Sequence, residues 1–180
     1  LLATLFSVLI AEIGDRPQIL AAALALRFAD DRKVIWALAL ATALNCGISA
    51  AAGSVIDQWV SEDPVRLFNG LAYVLAGLGM LMWRRPVELL DGWKIGPFLT
   101  AFLGLFILQF GDKSQFIIGA NAAMTPHWGF TAVGGWIGIM VAVVPAIVLK
   151  ARLAELLPIP RIRRIGGVML LFWGVVQALR

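Results

Sequence analysis

Six long apolar segments, separated by short polar breaks, constrain this chain more than any other feature. A helix needs about 20 apolar residues to cross the hydrocarbon core of a bilayer, and these segments are too long for the strands of a globular core. Of the 180 residues, 61% are hydrophobic and 14% are charged, whereas soluble domains have about 45–50% and about 25%. The sequence therefore predicts an all-α membrane protein with six transmembrane helices. They cover roughly residues 1–26, 34–56, 65–83, 97–120, 128–149 and 162–179.

Lys and Arg residues are distributed unevenly between the two sets of predicted loops. The loops after the first, third and fifth helices hold most of them, whereas the opposite side holds only Arg66 and Arg180. We expect the protein to lie in the cell membrane, a bacterial inner membrane. Because cytoplasmic loops carry the excess of positive charge, we expect both termini to face the outside. This topology accounts for the basic residues, so we expect no nucleic-acid partner. The residues on the cytoplasmic side are Arg27, Arg32, Lys33, Arg84, Arg85, Lys94, Lys150, Arg152, Arg161, Arg163 and Arg164.

A seven-residue motif occurs twice, at an offset of 97 residues: Glu12-Ile-Gly-Asp-Arg-Pro-Gln18 resembles Gln109-Phe-Gly-Asp-Lys-Ser-Gln115. We therefore predict two three-helix repeats, residues 1–83 and 97–180, joined by a cytoplasmic linker at 84–96. Three spans per copy make the second repeat enter the membrane from the opposite side. Inverted repeats of this kind are a transporter architecture with the binding site at the midplane. The same offset also pairs Gly70 with Gly167, Gly77 with Gly174 and Arg66 with Arg163.

Both motifs lie near the middle of their apolar segments, where ionised side chains are costly and usually mark a functional site. In each motif the first and fourth residues share a helix face, and a pseudo-twofold axis would bring the two faces together. Oxygen ligands without thiolate or imidazole suit hard cations such as Ca²⁺, Mn²⁺ or Mg²⁺. The lone His127 and the lone Cys46 lie outside the motifs. The predicted metal ligands are Glu12, Asp15, Gln18, Gln109, Asp112 and Gln115.

Two basic residues in the motifs are predicted to compensate charge. Arg16 lies four residues after Glu12 and can pair with it, whereas Lys113 is expected to reach Asp112 or a carboxylate across the interface. Three acids and two bases give the motifs a formal charge of −1. A proline in the first motif would free a backbone carbonyl as a further cation ligand. The predicted helix-breaking residues are Gly14, Pro17 and Gly111.

The doubled motif resembles the Gdt-type cation exchanger family, which includes Golgi and chloroplast manganese/calcium transporters and bacterial manganese exporters. The hallmark of that family is two copies of Glu-x-Gly-Asp-Lys/Arg-Thr/Ser on helices 1 and 4 of an inverted repeat. The resemblance implies that the family's acids correspond to Glu12, Asp15 and Asp112. This chain departs at Gln109, where the family has glutamate, and at Pro17, where the family has a hydroxyl residue.

The sequence therefore predicts a secondary transporter that exchanges a divalent cation, Mn²⁺ or Ca²⁺, for protons, and the resemblance favours export. The cation is the transported substrate, so no resident cofactor is expected. The expected partners are the cation, protons and the lipid bilayer, and the sequence is compatible with a homo-oligomer.

Two alternatives remain: a transporter of another small cation or an amino acid, and a non-transporting scaffold subunit. An enzyme is not expected, because no hydrolase arrangement appears at mid-depth. Asn45 and Asn121 could line a path, but hydrogen bonding between helices is their commoner role.

Overall fold

The computed structural model describes residues 1–82, 86–150 and 152–179, and every regular element in these ranges is an α-helix. Trp83, Arg84, Arg85, Ala151 and Arg180 lie outside the described residues, and with them the predicted end of the third span and the start of the linker. The helices are α1 (Leu2–Glu12), α2 (Arg16–Phe28), α3 (Asp31–Trp59), α4 (Glu62–Met82), α5 (Pro97–Gln109), α6 (Lys113–Ala122), α7 (Trp128–Leu149), α8 (Arg152–Leu156) and α9 (Ile159–Ala178).

The described helices include three that are long and apolar enough to cross a membrane: residues Asp31–Ile56 of α3, the whole of α4, and α7. Helices α5 and α6 meet the same criterion together, as one span with a bend of 66°. The all-helical, multi-pass class is therefore confirmed, with three or four candidate spans against the six predicted. Length and composition do not identify the remaining predicted spans, because α1 and α2 are short and α9 carries three arginines in its first two turns.

The first polar break predicted from the sequence ends one helix and begins the next. Helix α2 ends at Ala29, which adopts the left-handed conformation (φ 50°). Asp30 then caps α3, because its Oδ1 accepts a hydrogen bond from the Lys33 backbone N–H at 3.1 Å. The Lys33 ammonium also lies 2.8 Å from Asp30 Oδ2. These hydrogen bonds from Lys33 lower the pKa of Asp30 below its ordinary value, so the charged carboxylate is retained at the start of α3.

The described part of the predicted linker, residues 86–96, contains no helix and packs against the end of α2. The Arg27 guanidinium donates hydrogen bonds to the carbonyl oxygens of Leu90 at 2.7 Å, Asp91 at 3.1 Å and Trp93 at 3.0 Å. The Leu90 side chain lies directly against Gly104 of α5. This segment therefore ties the first half of the chain to the beginning of the second.

Helices α4 and α9 pack through two facing pairs of glycines. A Cβ atom at Gly70 would lie 2.8 Å from the Gly174 carbonyl oxygen, and one at Gly77 would lie 2.6 Å from the Gly167 carbonyl oxygen. Because the earlier glycine of α4 meets the later glycine of α9, the two helices run antiparallel. The backbones can approach this closely only where both helices present small residues.

The remaining helices pack around the breaks between α1 and α2 and between α5 and α6. Helix α1 lies against α7 while α5 lies against α3, and α3 also contacts α6 and α7. Polar side chains are buried inside this bundle, and large apolar side chains cover its outside. Such a surface is typical of helices that face lipid. The exposed apolar residues include Leu40, Leu44, Ile48, Leu67, Leu71, Leu75, Val133, Val141, Val148, Ile165, Val168 and Phe172.

Replacing Gly77 by alanine tests the contact between α4 and α9. The new methyl group would meet the backbone at Gly167 and Leu171, so the helices must separate, at a cost of about 1–3 kcal/mol. The matched control is Gly79→Ala on the same helix, where the methyl group would meet nothing within 4 Å. We expect a lower thermal unfolding midpoint in detergent for Gly77→Ala alone. Equal midpoints for the two variants would contradict the close glycine contact.

Candidate functional site

The two sequence motifs form two helix breaks with nearly the same backbone conformation. Helix α1 ends at an extended Ile13 (φ −62°, ψ 121°), and α5 ends at an extended Phe110 (φ −64°, ψ 120°). Gly14 and Gly111 follow with φ values of +71° and +72°. Side chains other than glycine are strained at such angles, so the motif requires glycine at this position. The next residue in each motif is an aspartate that begins the second helix.

A glutamine side chain braces each break. Gln18 Oε1 accepts a hydrogen bond from the Gly14 backbone N–H at 2.7 Å, and Gln115 Oε1 accepts one from the Gly111 N–H at 3.0 Å. Gln18 Nε2 also donates to the Ala142 carbonyl oxygen of α7 at 2.7 Å. In the described structure, the oxygens predicted to bind a cation at these two positions accept hydrogen bonds from backbone donors of the broken helices. Their role as cation ligands stays a prediction.

Pro17 has a different structural role from the predicted one. It lies in the first turn of α2, where a backbone N–H has no partner within the helix, so proline removes no helical hydrogen bond there. The break comes before it, at residues 13–15. The corresponding residue in the second motif is Ser114, whose hydroxyl donates a hydrogen bond to Glu12 Oε1.

The charged residues of the two breaks pair across the interface. Arg16 Nη2 lies 3.4 Å from Asp112 Oδ1, and Lys113 forms an ion pair with Asp15 Oδ2. Lys113 also lies 3.4 Å from Asp112 Oδ2. Arg16 thus contacts the other motif rather than Glu12, because the chain breaks between them and the i,i+4 spacing of a continuous helix no longer applies. The pairing of Lys113 with Asp112 and with a carboxylate across the interface agrees with the prediction.

Arg163 is a member of this cluster that the sequence analysis assigned to a basic cytoplasmic segment. It is only 5% exposed, and its Nη1 donates to the Gly14 carbonyl oxygen at 2.7 Å and lies 3.4 Å from Asp15 Oδ1. Its Nη2 donates to the Met80 carbonyl oxygen of α4 at 3.2 Å. The sequence did indicate a buried arginine, since Arg163 lies inside the apolar segment 162–179. The loop-charge pattern led us to count it among the cytoplasmic basic residues.

With Arg163 included, the cluster holds three carboxylates and three basic groups. Its formal charge is therefore zero, not the −1 expected from the motifs. Three internal cations satisfy the two aspartates in this state. Within the described residues, no group of three or more His, Cys, Asp or Glu side chains is placed to hold a metal ion. Both aspartates are instead bound by basic groups of the cluster, and Lys113 contacts the two of them.

Several buried polar atoms next to the breaks have no hydrogen-bond partner. Glu12 is 1% exposed, and its Oε2 is unpartnered although Oε1 is bound by Ser114. Gln109 Oε1 accepts a hydrogen bond from Thr42 at 3.3 Å, and its Nε2 is unpartnered. Asn45 of α3 donates to the Phe106 carbonyl oxygen at 3.0 Å, and its Oδ1 is unpartnered. Gln115 Nε2 at the second break is unpartnered as well. In this part of the described structure, two oxygens and two amide nitrogens thus remain free in a buried setting, where unpaired polar groups are costly.

Substitution of Arg163 tests its place in the cluster. Arg163→Gln removes the donors to two buried carbonyl oxygens and should destabilise the protein by about 1–3 kcal/mol. Its counterpart at the 97-residue offset, Arg66, contacts Glu62 at 2.8 Å and is 43% exposed, so Arg66→Gln should leave stability unchanged. The thermal midpoints of the two variants in detergent measure the difference. A stable Arg163→Gln protein would mean that these contacts contribute little.

Comparison with known proteins identifies the family. The family described as the divalent cation/proton antiporter GDT1 matches residues 1–86 and 97–180. A protein from Vibrio cholerae, named "Putative manganese exporter", is 31% identical over 179 residues, covering 96% of this chain and 86% of its own length. No solved structure matches the chain. This is a transporter family and not an enzyme family, as expected from the motifs. The chain belongs to the GDT1 family of divalent cation/proton antiporters.

Proposed function

We propose that this protein carries Mn²⁺ or Ca²⁺ across the membrane in exchange for protons, through a site between the two helix breaks. The observation that carries the proposal is the buried charge cluster. In it, the basic residue of each helix break pairs with the aspartate of the other break. The oxygen donors suit a hard divalent cation, and the Vibrio cholerae relative named "Putative manganese exporter" favours Mn²⁺. The cation is the transported substrate.

In this proposal, the site lies between two inverted repeats of three membrane spans each. The family matches two segments of the chain, close to the proposed repeats 1–83 and 97–180 with the linker 84–96 between them. The antiparallel contact of α4 with α9 supports inversion, because Gly70 meets the counterpart of Gly77 and Gly77 meets the counterpart of Gly70. The broken pair α1–α2 and the helix α9, whose outer face is apolar, complete the six spans.

The lengths of the broken helices favour a site near the midplane. Helix α1 has 11 residues and α2 has 13, which corresponds to about 16 and 20 Å at 1.5 Å per residue. Each is roughly half of a span across a hydrocarbon core of about 30 Å. Broken helices at this depth are where transporters commonly bind ions, since the break exposes backbone and side-chain oxygens.

In the proposed cycle, the three carboxylates alternate between the internal bases, protons and the cation. Entry of a divalent cation requires Lys113, Arg16 or Arg163 to withdraw from Asp15 and Asp112. Protonation of the carboxylates removes their charge and releases the cation. The unpartnered Glu12 Oε2 offers the cation an oxygen that no internal base occupies.

Gln109 stands where the resemblance places a second glutamate. An amide gives one neutral oxygen, whereas a carboxylate can bind a cation through two charged oxygens. The proposed site therefore depends on three acids, and each aspartate carries a large share of its charge. Gln18 and Gln115, predicted as ligands, support the breaks from behind the cluster in this proposal.

Neutralising either aspartate tests the proposed function. Asp15→Asn and Asp112→Asn each remove one charge from a site with three acids, so we expect Mn²⁺ flux into proteoliposomes under a pH gradient to fall at least about tenfold. Asp63→Asn, at an exposed position in the first turn of α4, is the control for loss of charge alone. Size-exclusion profiles establish that the variants are folded.

Three results would contradict the proposal. Wild-type protein that moves neither Mn²⁺ nor Ca²⁺ favours a scaffold subunit. Flux of another small cation or an amino acid, but of no divalent cation, favours the other transporter class. Normal flux in both aspartate variants would leave the aspartates a purely structural role.

We also propose that both termini face outward from the cell membrane, as the loop charges indicate. Single cysteines replacing Glu62 or His127, in a protein lacking Cys46, should react with an impermeant thiol reagent added to whole cells. Cysteines replacing Asp31 or Glu88 should react only after the cells are opened. Glu62, His127 and Glu88 are exposed and Asp31 is half-buried, so all four are within reach of a reagent on their own side. The reverse pattern would invert the proposed orientation.

A further inference from the structure

A second polar cluster, separate from the charged one, lies between α1, α4 and α6. We call it the asparagine cluster; its centre is the amide of Asn121. Asn121 Nδ2 donates to Tyr73 Oη at 2.9 Å and lies 3.3 Å from Thr4 Oγ1, while its Oδ1 accepts from Asn69 Nδ2 at 3.0 Å. Tyr73 Oη lies 3.1 Å from Ser7 Oγ. The asparagine cluster consists of Thr4, Ser7, Asn69, Tyr73 and Asn121.

One end of the asparagine cluster reaches a cavity near the start of α4. Asn69 lines a cavity of 260 Å³ together with Arg66, Met124 and Gln177. Asn69 is 1% exposed, and its Oδ1 has no hydrogen-bond partner. A buried and unpartnered oxygen beside a cavity is an available ligand for water or for a cation passing through.

The other end points along α1 and α6 toward the charged cluster. Thr4 lies two turns before Glu12 on α1, and Asn121 lies two turns after Ser114 on α6; Ser114 and Glu12 are hydrogen-bonded. The fully buried Val8 and Ile117 occupy the turns in between. Thr4 and Asn121 thus lie about two helical turns from Glu12 and its partner Ser114, with one buried apolar turn between them.

The equivalent positions in the other half of the chain carry no polar side chain. The residues that lie 97 positions from the five members of the cluster are alanine, glycine and leucine, and all of them are buried. On that side, Arg163 covers Gly14 and Asp15. At these five pairs of positions, the described structure is therefore polar on the side where α1 begins and apolar on the opposite side. The exchanged residues are Ala101, Gly104, Gly166, Leu170 and Leu24.

We infer that the asparagine cluster is the passage between the charged cluster and the face where α1 begins, and that it carries a partly dehydrated divalent cation and protons. The inference rests on the proposed transport function. Neutral hydroxyl and amide oxygens can replace part of a cation's water shell without the strong hold of carboxylates, which a passage requires because the ion must also leave. The buried residues Val8 and Ile117 form the constriction that separates the passage from Glu12.

Removal of single hydroxyl groups tests the passage. Thr4→Val and Tyr73→Phe keep side-chain volume nearly constant, and we expect each to slow Mn²⁺ flux in proteoliposomes about tenfold, with the Mn²⁺ dissociation constant in detergent changed less than about twofold. The matched control is Thr100→Val. Thr100 is also a fully buried threonine, lies near the start of α5, and has an unpartnered hydroxyl outside the asparagine cluster. Its flux should equal that of the wild type.

A second measurement compares positions 24 and 121, which correspond to each other at the 97-residue offset. In a protein lacking Cys46, a cysteine replacing Asn121 should react with a small hydrophilic thiol reagent faster than one replacing Leu24, and Mn²⁺ should slow that reaction. Asn121 is half-buried and Leu24 is fully buried, so the protection by Mn²⁺, and not the difference in rate alone, reports the passage.

The outcomes separate the passage from the transport function itself. Folded Thr4→Val and Tyr73→Phe proteins that transport at the wild-type rate would overturn the passage and leave a purely structural hydrogen-bond network. Equal labelling at positions 121 and 24 would overturn it as well. Absence of both Mn²⁺ and Ca²⁺ flux in the wild-type protein would instead overturn the proposed function.

Discussion

The crossed ion pairs between the two helix breaks are the interaction on which the rest of this structure depends. Each break carries an aspartate and a basic residue, and each aspartate is neutralised by the basic residue of the other break. Charges buried among apolar helices are tolerable only when they are paired and hydrogen-bonded. The two broken helix pairs must therefore come together for either of them to be stable. The positive φ of Gly14 and Gly111 and the braces from Gln18 and Gln115 hold the backbone in the conformation that makes this pairing possible.

Arg163 completes the balance of charge and also distinguishes the two halves. Its guanidinium binds the break between α1 and α2, while its counterpart Arg66 remains at the surface with Glu62. The positions of the asparagine cluster also differ between the halves, because the residues 97 positions away from them are alanine, glycine and leucine. A transporter must open to one face at a time, and two equivalent halves in different environments are a direct way to make the faces differ. The proposed passage on the side of Tyr73 and the closure by Arg163 on the other side fit one such state.

Much of the molecular class was predictable from the sequence, because it depends on composition and on one unusual motif. Apolar segments of membrane length gave the helical, multi-pass class, and the doubled motif led to the antiporter family that the comparisons confirm. The position of the charged motifs inside apolar segments singled out the residues that meet in the cluster. The ligand roles of Glu12, Asp15 and Asp112 and the six-span inverted repeat stay predictions.

Other features depended on contacts between segments far apart in the sequence. Gln18 and Gln115 have the same oxygens as good cation ligands, and only the folded breaks direct those oxygens to the backbone N–H groups of Gly14 and Gly111. The loop-charge pattern assigned Arg163 to a basic cytoplasmic segment, and its burial follows from the packing of α9 over α4 and the first break.

The sequence by itself determined that this chain is helical, lies in a membrane and keeps charged groups at the centre of two of its apolar segments. These properties follow from side-chain chemistry and from local spacing along one segment. Tertiary structure alone decided which charges pair, because the partner of Asp15 lies 98 positions away at Lys113 and the partner of Arg16 lies in the other break. It also decided where the second polar cluster forms, since Thr4, Tyr73 and Asn121 meet when α1, α4 and α6 pack together. A sequence pattern specifies the faces of a helix, whereas the partner of each face is fixed only when the helices pack.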